Sequence, residues 1–341
     1  MAQMKVLVDL HHSELFTSLY LLFVERLGWD MYVPMGMAWC EKGYWGLTPG
    51  DNLAGDNLAV AKQFLEIPEI PVFSLRPRYP KLNYAYIGAI DNGSIKFDII
   101  VASVPTSFSC FEKLIRDYEM TSKLIFQAGN NFYHGSSALA TVRNLMSSAT
   151  EIYQRMQAPN KVFYHQEFDL NIFSKKRKCN PKSVTNLQHY MSYPDLFLAL
   201  EKSLPGWEFK SYGQGNRDHS LNKLTEVSQA IQDAGFVFHV KETGDGYGHT
   251  LHNAFACGTP LITNSKYMRS NDGVPYTGVM LYTPETVVDI DYMTTPQIAD
   301  ELKRRADNYE YYSEKAYQKF KEVVDFDKEF EDIKRFLANL I

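Results

Sequence analysis

The chain opens on a continuous apolar run, KVLVDL (Lys5–Leu10), followed by SELFTSLYLLFVERLG (Ser13–Gly28), where apolar residues recur at helical spacing up to a closing glycine. The first predicts a strand buried on both faces, the second a helix with its stop signal. MYVPMG reads as a second short strand. Farther on, FDIIVASVP (Phe97–Pro105) and KLIFQAGN (Lys123–Asn130) are apolar runs that end in small polar residues, and SCFEKLIRDYEM between them has helical spacing. The pattern then restarts. KVFYHQ (Lys161–Gln166) predicts a linking strand, SVTNLQ (Ser183–Gln188) a strand before the helix DLFLALEKSL, and WEFKSYGQG (Trp207–Gly215) a strand that runs into a glycine turn. FVFHVKE, a helix from about Tyr247 to Cys257, and TPLITN complete a β-α-β unit. The segment TTPQIADELKRRADNYEYYSEKAYQKFKEVVDF predicts helix, with Thr295 as N-cap and Pro296 at the first helical position. DKEFEDIKRFLANL predicts a last helix with Phe330, Ile333 and Leu337 on one face.

Strands alternating with helices predict a parallel α/β sheet, whose sites lie at the C-terminal ends of the strands. Because the pattern runs twice, we expect two Rossmann-like, doubly wound parallel-sheet domains. Residues 1–157 form the first and 158–310 the second, with tail helices over 311–341 that cross back onto the first. A length of 341 residues is enough for two cores. With 45% hydrophobic and 22% charged residues the composition is that of a folded enzyme-sized protein, which excludes disorder and disulfide scaffolds.

The net charge of -5 changes the picture only once it is divided along the chain. From Glu285 to Ile341 there are 14 acidic and 9 basic residues, so the excess acid belongs to the tail and the remainder is neutral. A polyanionic partner is therefore not excluded by charge. The four cysteines (Cys40, Cys110, Cys179, Cys257) are far apart, with no C-x-x-C pair. Zinc ribbons lose support, and the expectation is reduced thiols in a cytoplasmic protein of a bacterium or an infected host cell. The first residues enter a strand without a signal segment, and no apolar run reaches membrane-spanning length.

The stretch that carries most chemistry is KETGDGYGHTLHNAFACGTPLIT (Lys241–Thr263). It reads as a strand end, a turn bracketed by Gly244, Gly246 and Gly248, a helix, a tight Cys257-Gly258-Thr259-Pro260 turn and another strand. Glycines at a strand-to-helix turn let a ligand approach the backbone, and the helix N-terminus offers N–H groups to an anion such as a diphosphate. The turn alone would also serve simply to reverse the chain.

Taken whole, the segment resembles the signature of the large retaining family of GT-B glycosyltransferases that includes glycogen and sucrose synthases. That signature is Glu-Gly-Phe-Gly, four residues, then Glu-Ala-x-Ala-x-Gly-x-Pro. Asp245-Gly246-Tyr247-Gly248 stands where Glu-Gly-Phe-Gly does, and Asn253-Ala254-Phe255-Ala256-Cys257-Gly258-Thr259-Pro260 matches the rest. The family's Glu-x7-Glu has become Asp245-x7-Asn253. GVMLYTPETV (Gly278–Val287) resembles the strand and loop that follow the donor site, HQEFDLNIF (His165–Phe173) the opening of the second domain, and SYGQGN its glycine-ended strand. The resemblance covers about residues 160–290.

It implies the GT-B fold and a nucleotide-diphosphate sugar as donor substrate. It places Asp245 on the donor sugar's hydroxyls, with the backbone of Gly246, Tyr247 and Gly248 around the diphosphate and Asn253 on the ribose diol. An amide there binds a diol without charge assistance. Gly213, His249, Lys241 and Glu285 complete the expected donor contacts. The Arg and Lys that the family sets after the strand opening its second domain do not follow SVTNLQHYMSYP; Lys241, His189 or Arg217 would have to stand in.

In the first half, His11-His12-Ser13-Glu14 follows the first strand at the sheet edge where sites lie. His12 is a candidate catalytic residue and Ser13 an acceptor-side contact, with a histidine pair in a helix-capping loop as the plain alternative. GNNFYHGSS (Gly129–Ser137) adds Asn130 and Asn131 on the acceptor side and His134 as a second catalytic candidate, near where the family keeps a histidine. We read no D-x-D carboxylate pair in a loop after a strand and no His-x-x-x-His, so no metal and no further cofactor are expected, and helix dipoles with basic side chains would stabilise the leaving diphosphate. SKKRKCNPK (Ser174–Lys182) and LRPRYPK (Leu75–Lys81) carry Lys175, Lys176, Arg177, Lys178, Arg76 and Arg78 beside aromatics. They are either solubilising loops or contacts to a nucleic-acid backbone.

The expectation is a hexosyl- or pentosyltransferase acting with retention on a saccharide or on a hydroxymethylated base of phage DNA, flipped from its duplex. The alternatives are a sugar-nucleotide epimerase or hydrolase of the same fold, and a non-catalytic nucleotide or glycan binder.

Overall fold

A computed structural model describes residues 3–9, 13–35, 79–86, 95–129, 139–175, 179–188, 191–221, 223–242 and 245–340. The chain forms two compact units. One comprises residues 1–168 and 326–341, the other 169–325.

The first unit is built on a seven-stranded parallel sheet of order β3-β2-β1-β4-β5-β6-β7. Its strands are β1 (Lys5–Val8), β2 (Asp30–Met35), β3 (Asn83–Tyr86), β4 (Ile99–Ala102), β5 (Lys123–Ala128), β6 (Asn144–Ser147) and β7 (Asn160–Phe163). Alternation explains why β1 and β4 are apolar throughout. Val6, Val8, Ile99 and Val101 enter one core, and Leu7, Ile100 and Ala102 enter the other. The first core is covered by α1 (Ser13–Tyr20), which continues as a π-helical turn over Leu21–Arg26 and buries Phe16, Leu19 and Phe23. The second is covered by α2 (Pro105–Asp117) and α3 (Thr150–Arg155), through Phe108, Phe111, Leu114 and Ile152.

The second unit has five parallel strands of order β12-β11-β10-β8-β9. These are β8 (Asn180–Asn186), β9 (Glu208–Ser211), β10 (Ala234–His239), β11 (Leu261–Thr263) and β12 (Val287–Asp289). Phe236, Phe238 and Val240 face a core closed by α4 (Pro194–Ser203) and α7 (Thr295–Asp307), through Phe197, Leu200, Ile298 and Leu302. The opposite flank is covered by α5 (Leu224–Asp233) and α6 (His249–Ala256), and α8 (Tyr309–Val323) packs on α6.

The tail divides between the units: α8 belongs to the second, whereas α9 (Phe326–Ala338) belongs to the first. Ile333, Phe336 and Leu337 of α9 sit in the core beneath β1, with Phe330 packed against it. Polar contacts fix its start. Glu329 accepts the backbone N–H of His165 at 2.6 Å and contacts the ring Nδ1 at 2.7 Å. Arg26 grips Glu167 through Nε and Nη2 and reaches Asp327 at 2.8 Å.

Three local expectations need correcting. GVML is not a strand but a 3-10 turn over Thr277–Leu281, and the strand comes later, at Val287–Asp289. A side chain at Gly278 would place its Cβ 2.4 Å from Leu251, so the run is pinned against α6 as a tight turn. The N-cap of α7 is Thr294 rather than Thr295, because Thr294 forms the capping box with Gln297. Cys179 and Cys257 are free thiols, but Cys110 is disulfide-bonded. Sequence separation does not reveal which cysteines a fold brings together. Among the described residues no helix is long and apolar enough to cross a membrane.

Candidate functional site

In an open parallel sheet the strand order reverses at one point, and the loops leaving the strands there diverge and leave a crevice. In the second unit that point lies between β8 and β10. The chain leaving β8 carries Gln188, and β10 ends at His239 and runs on into Lys241. After that come Asp245 and the turn Gly246-Tyr247-Gly248, which starts α6.

Asp245 is the ionic centre of this crevice. Its Oδ2 lies 2.9 Å from His239 Nε2 and 3.6 Å from Lys241 Nζ. Burial works against the carboxylate, but the hydrogen bond from His239 and the charge of Lys241 outweigh it and hold the carboxyl well below the usual carboxylate range. With 21% of its side chain exposed, Asp245 is anionic and within reach of a ligand. Burial also lowers the His239 imidazole, against the pull of Asp245, so the ring is neutral at neutral pH. The strand end is held by Asn264. Its Oδ1 accepts the Lys241 N–H at 3.0 Å and its Nδ2 donates to the Lys241 carbonyl at 2.7 Å, as a neighbouring strand would.

The turn into α6 requires glycine at one position above all. Gly248 has φ +81, and a Cβ there would lie 2.6 Å from Leu251. It is the N-cap of α6, and among the described residues no side chain caps the helix. Tyr247 is buried and stacks on His252 at 4.1 Å and 6°. His249 meets the same ring edge-on at 4.8 Å. His252 bonds the Gly248 carbonyl through Nδ1 at 2.9 Å, so it braces the turn from inside. The helix thus presents its backbone N–H end beside a carboxylate, an arrangement that suits a ligand carrying both hydroxyls and an anionic group.

Several expected contacts gather here. Asp245, Gly246, Tyr247, Gly248, His249 and Lys241 form the turn and its flank. Asn253 lies one turn into α6, 6% exposed, and its Oδ1 has no hydrogen-bond partner among the described residues. Gly213 follows β9 with φ +116, and a Cβ there would stand 3.0 Å from the Gln188 carbonyl. Its observed role is to let the β9 turn pass Gln188. Glu285 precedes β12, and its carbonyl accepts Arg305 Nη1 at 3.0 Å. Arg217, considered as a phosphate ligand, is engaged by Glu201 at 2.9 Å and by the Phe209 carbonyl. Lys175 is paired with Glu314 at 2.6 Å. His12, His134, Asn130, Asn131, His189, Lys176, Arg177, Lys178, Arg76 and Arg78 lie outside the described residues, as does the side chain of Ser13.

Two site residues escape sequence reasoning. His239 is hidden in the apolar run FVFHV, where its only signal is an ionisable residue on a buried strand six positions before Asp245. Asp9 ends β1 at the switch point of the first sheet, between β1 and β4. It is 1% exposed, its Oδ2 accepts the Ser103 N–H at 2.7 Å, and its Oδ1 has no hydrogen-bond partner among the described residues. Burial lifts its carboxyl to about 6, against the hydrogen bond from Ser103 that holds it down.

No protein-family profile matches the sequence, and no curated protein sequence does. Solved structures do. HepE from Anabaena in complex with UDP-glucose aligns over 99% of this chain and 100% of that one, with a TM-score of 0.65 at 9% identity. An α-glucosyltransferase with UDP and a 13-mer DNA covers 98% of this chain and 100% of its own, at TM-score 0.62 and 10% identity. Sucrose-phosphate synthase from Thermosynechococcus elongatus covers 99% of both chains, at TM-score 0.59 and 10% identity. The chain therefore has the GT-B fold of these glycosyltransferases.

Proposed function

We propose that the chain is a glycosyltransferase that moves a sugar from a nucleoside-diphosphate sugar to an acceptor hydroxyl with retention. The observation that carries this reading is the ionised, accessible Asp245 beside the uncapped N-terminus of α6, at the topological switch point of the second sheet. An anionic carboxylate accepts hydrogen bonds from sugar hydroxyls, and the N–H end of a helix receives a diphosphate and stabilises the charge that develops as it leaves. The bound UDP-glucose in HepE and UDP in the α-glucosyltransferase support a uridine donor. Asn253 Oδ1 is an acceptor for the ribose diol, Lys241 supplies positive charge beside the diphosphate, and no metal is required.

The first unit supplies the acceptor side, at the switch point that Asp9 and Ser103 mark, with His12 and His134 as its candidate catalytic residues. The acceptor is a saccharide: Lys175, in the basic stretch considered for a nucleic-acid backbone, is already neutralised by Glu314. The test is calorimetric titration with UDP and UDP-glucose, followed by transfer of labelled glucose to a panel of oligosaccharides and to a hydroxymethylated DNA duplex. We expect UDP binding that Asp245→Ala weakens, and labelled saccharide. Transfer to the duplex alone would replace the acceptor assignment, and the absence of binding by any nucleoside diphosphate would sink the function itself.

A further inference from the structure

We propose that His239 is a positioning residue for Asp245 and that Gln188 fixes it as the Nε2–H tautomer. The proposal rests on the reading of Asp245 as the ligand of the donor sugar.

The chain of reasoning starts at the carbonyl of Val240. Gln188 Nε2 lies 3.1 Å from that oxygen, which can only accept, so the amide must present its nitrogen there. Turning the amide over would set two oxygens against each other. The same Nε2 has a second hydrogen, directed at His239 Nδ1 across a long 3.5 Å. Nδ1 is thereby an acceptor, so the single proton of the neutral ring sits on Nε2 and donates to Asp245 Oδ2 at 2.9 Å. His239 is 2% exposed, which disfavours the imidazolium.

Gln188 itself has little freedom. Its N–H donates to Asn186 Oδ1 at 3.4 Å, and its carbonyl accepts from Asn216 Nδ2 at 2.6 Å and from Asn186 Nδ2 at 3.3 Å. The φ of +116 at Gly213 permits this close approach. A cost reveals the purpose. Gln188 is 8% exposed, yet its Oε1 has no hydrogen-bond partner among the described residues. Leaving a buried acceptor unsatisfied is unfavourable, and an apolar side chain of similar shape would avoid it. Glutamine here has a price in stability and returns a defined proton on His239. A neutral donor suits the site: it orients Asp245 while leaving the carboxylate its full charge for the sugar hydroxyls.

The decisive measurement is the nitrogen spectrum of the histidine rings in the full chain without ligand, with His239 assigned by the signal lost in His239→Gln. We expect Nε2 protonated and Nδ1 bare at about pH 7 to 8, above the ordinary imidazole value that burial lowers further. A protonated Nδ1 at neutral pH, or a doubly protonated ring, overturns the proposal whether or not the protein proves to be a transferase. Kinetics with UDP-glucose give the second readout. His239→Leu should lower kcat/KM about 10- to 100-fold, the usual consequence of losing a hydrogen bond to a charged group. His239→Gln, which retains an N–H for Asp245, should recover most of that loss. Gln188→Met should yield mixed ring tautomers and a lower kcat/KM, with the melting temperature unchanged or raised. A merely structural glutamine would instead lose stability and leave the tautomer unaltered. Full activity in a folded His239→Leu also overturns the assignment. An inactive wild-type protein would count against the transferase reading, and the ring spectrum would then decide this proposal by itself.

Discussion

Asp9 accepts the backbone N–H of Ser103 through Oδ2 at 2.7 Å, while its Oδ1 has no hydrogen-bond partner among the described residues, so the residue that follows β1 is tied to the residue that follows β4 by one carboxylate oxygen. The arrangement makes stability depend on pH in a direction opposite to that of most carboxylates. The folded chain binds the Asp9 proton more tightly than the unfolded chain does, with the carboxyl raised from 3.8 to about 6. Stability from this group is complete below the unfolded value, falls as pH rises through that window, and is absent above it. A shift of that size amounts to about 3 kcal/mol. Asp9→Asn should therefore stabilise the first unit at pH 7.5 and change little at pH 4, because the amide can still accept from Ser103 and can donate toward the Ser107 hydroxyl, which has no partner among the described residues. Denaturant melts of both proteins at the two pH values check the prediction, and an equal effect at both would refute it.

Gly248 predicts a coupled loss. Any side chain there must hold φ +81 and displace Leu251, so Gly248→Ala should cost about 1–3 kcal/mol of stability. The same shift moves the N-terminus of α6, so UDP affinity should drop together with the melting temperature. Calorimetry beside thermal melts would show whether the two losses travel together.

At Asn253 the two quantities should separate. Its Oδ1 has no partner among the described residues, so removing it frees a buried acceptor rather than breaking a bond. Asn253→Ala should leave the unfolding midpoint nearly unchanged and weaken UDP binding about 5- to 10-fold, corresponding to about 1 kcal/mol. Equal binding by the mutant would remove Asn253 from the nucleoside contact.

The attachment of α9 can be tested from its polar and apolar sides. Glu329→Ala removes the acceptor for both the His165 N–H and its ring and should destabilise the first unit by about 1–3 kcal/mol. Phe336→Ala, which empties a core position, should cost about 3–5 kcal/mol. Urea titrations followed by tryptophan fluorescence would report both, because Trp29 packs against this core.

The parts of the fold that were legible in the sequence are those where both faces of a strand are buried. VLV after Lys5 and IIVA could be read as strands because alternate residues feed two cores and none is left polar. Legibility failed where a short apolar run had another cause. In GVML, Gly278 packs against Leu251 and Leu281 is buried while Met280 is exposed, and periodicity over four residues cannot separate a strand from a 3-10 turn. In the site, Asp245 and Gly248 were legible because the turn that holds them is local. His239 was not. Its meaning depends on Gln188, fifty-one residues earlier, and on a carbonyl that no pattern of side chains records. Asp9 was lost in the same way, since its partner Ser103 lies ninety-four residues away.

The helix α9 has a consequence for how the protein is made. The core beneath β1 needs Ile333, Phe336 and Leu337, which leave the ribosome only after all of residues 169–325. Synthesis proceeds from the N-terminus, so the second unit can complete its core while the first, though begun earlier, still exposes the apolar flank of α1 and β1. The order of birth and the order of completion are reversed. During that interval the nascent chain carries an open hydrophobic face, until the thirteen-residue helix α9 docks.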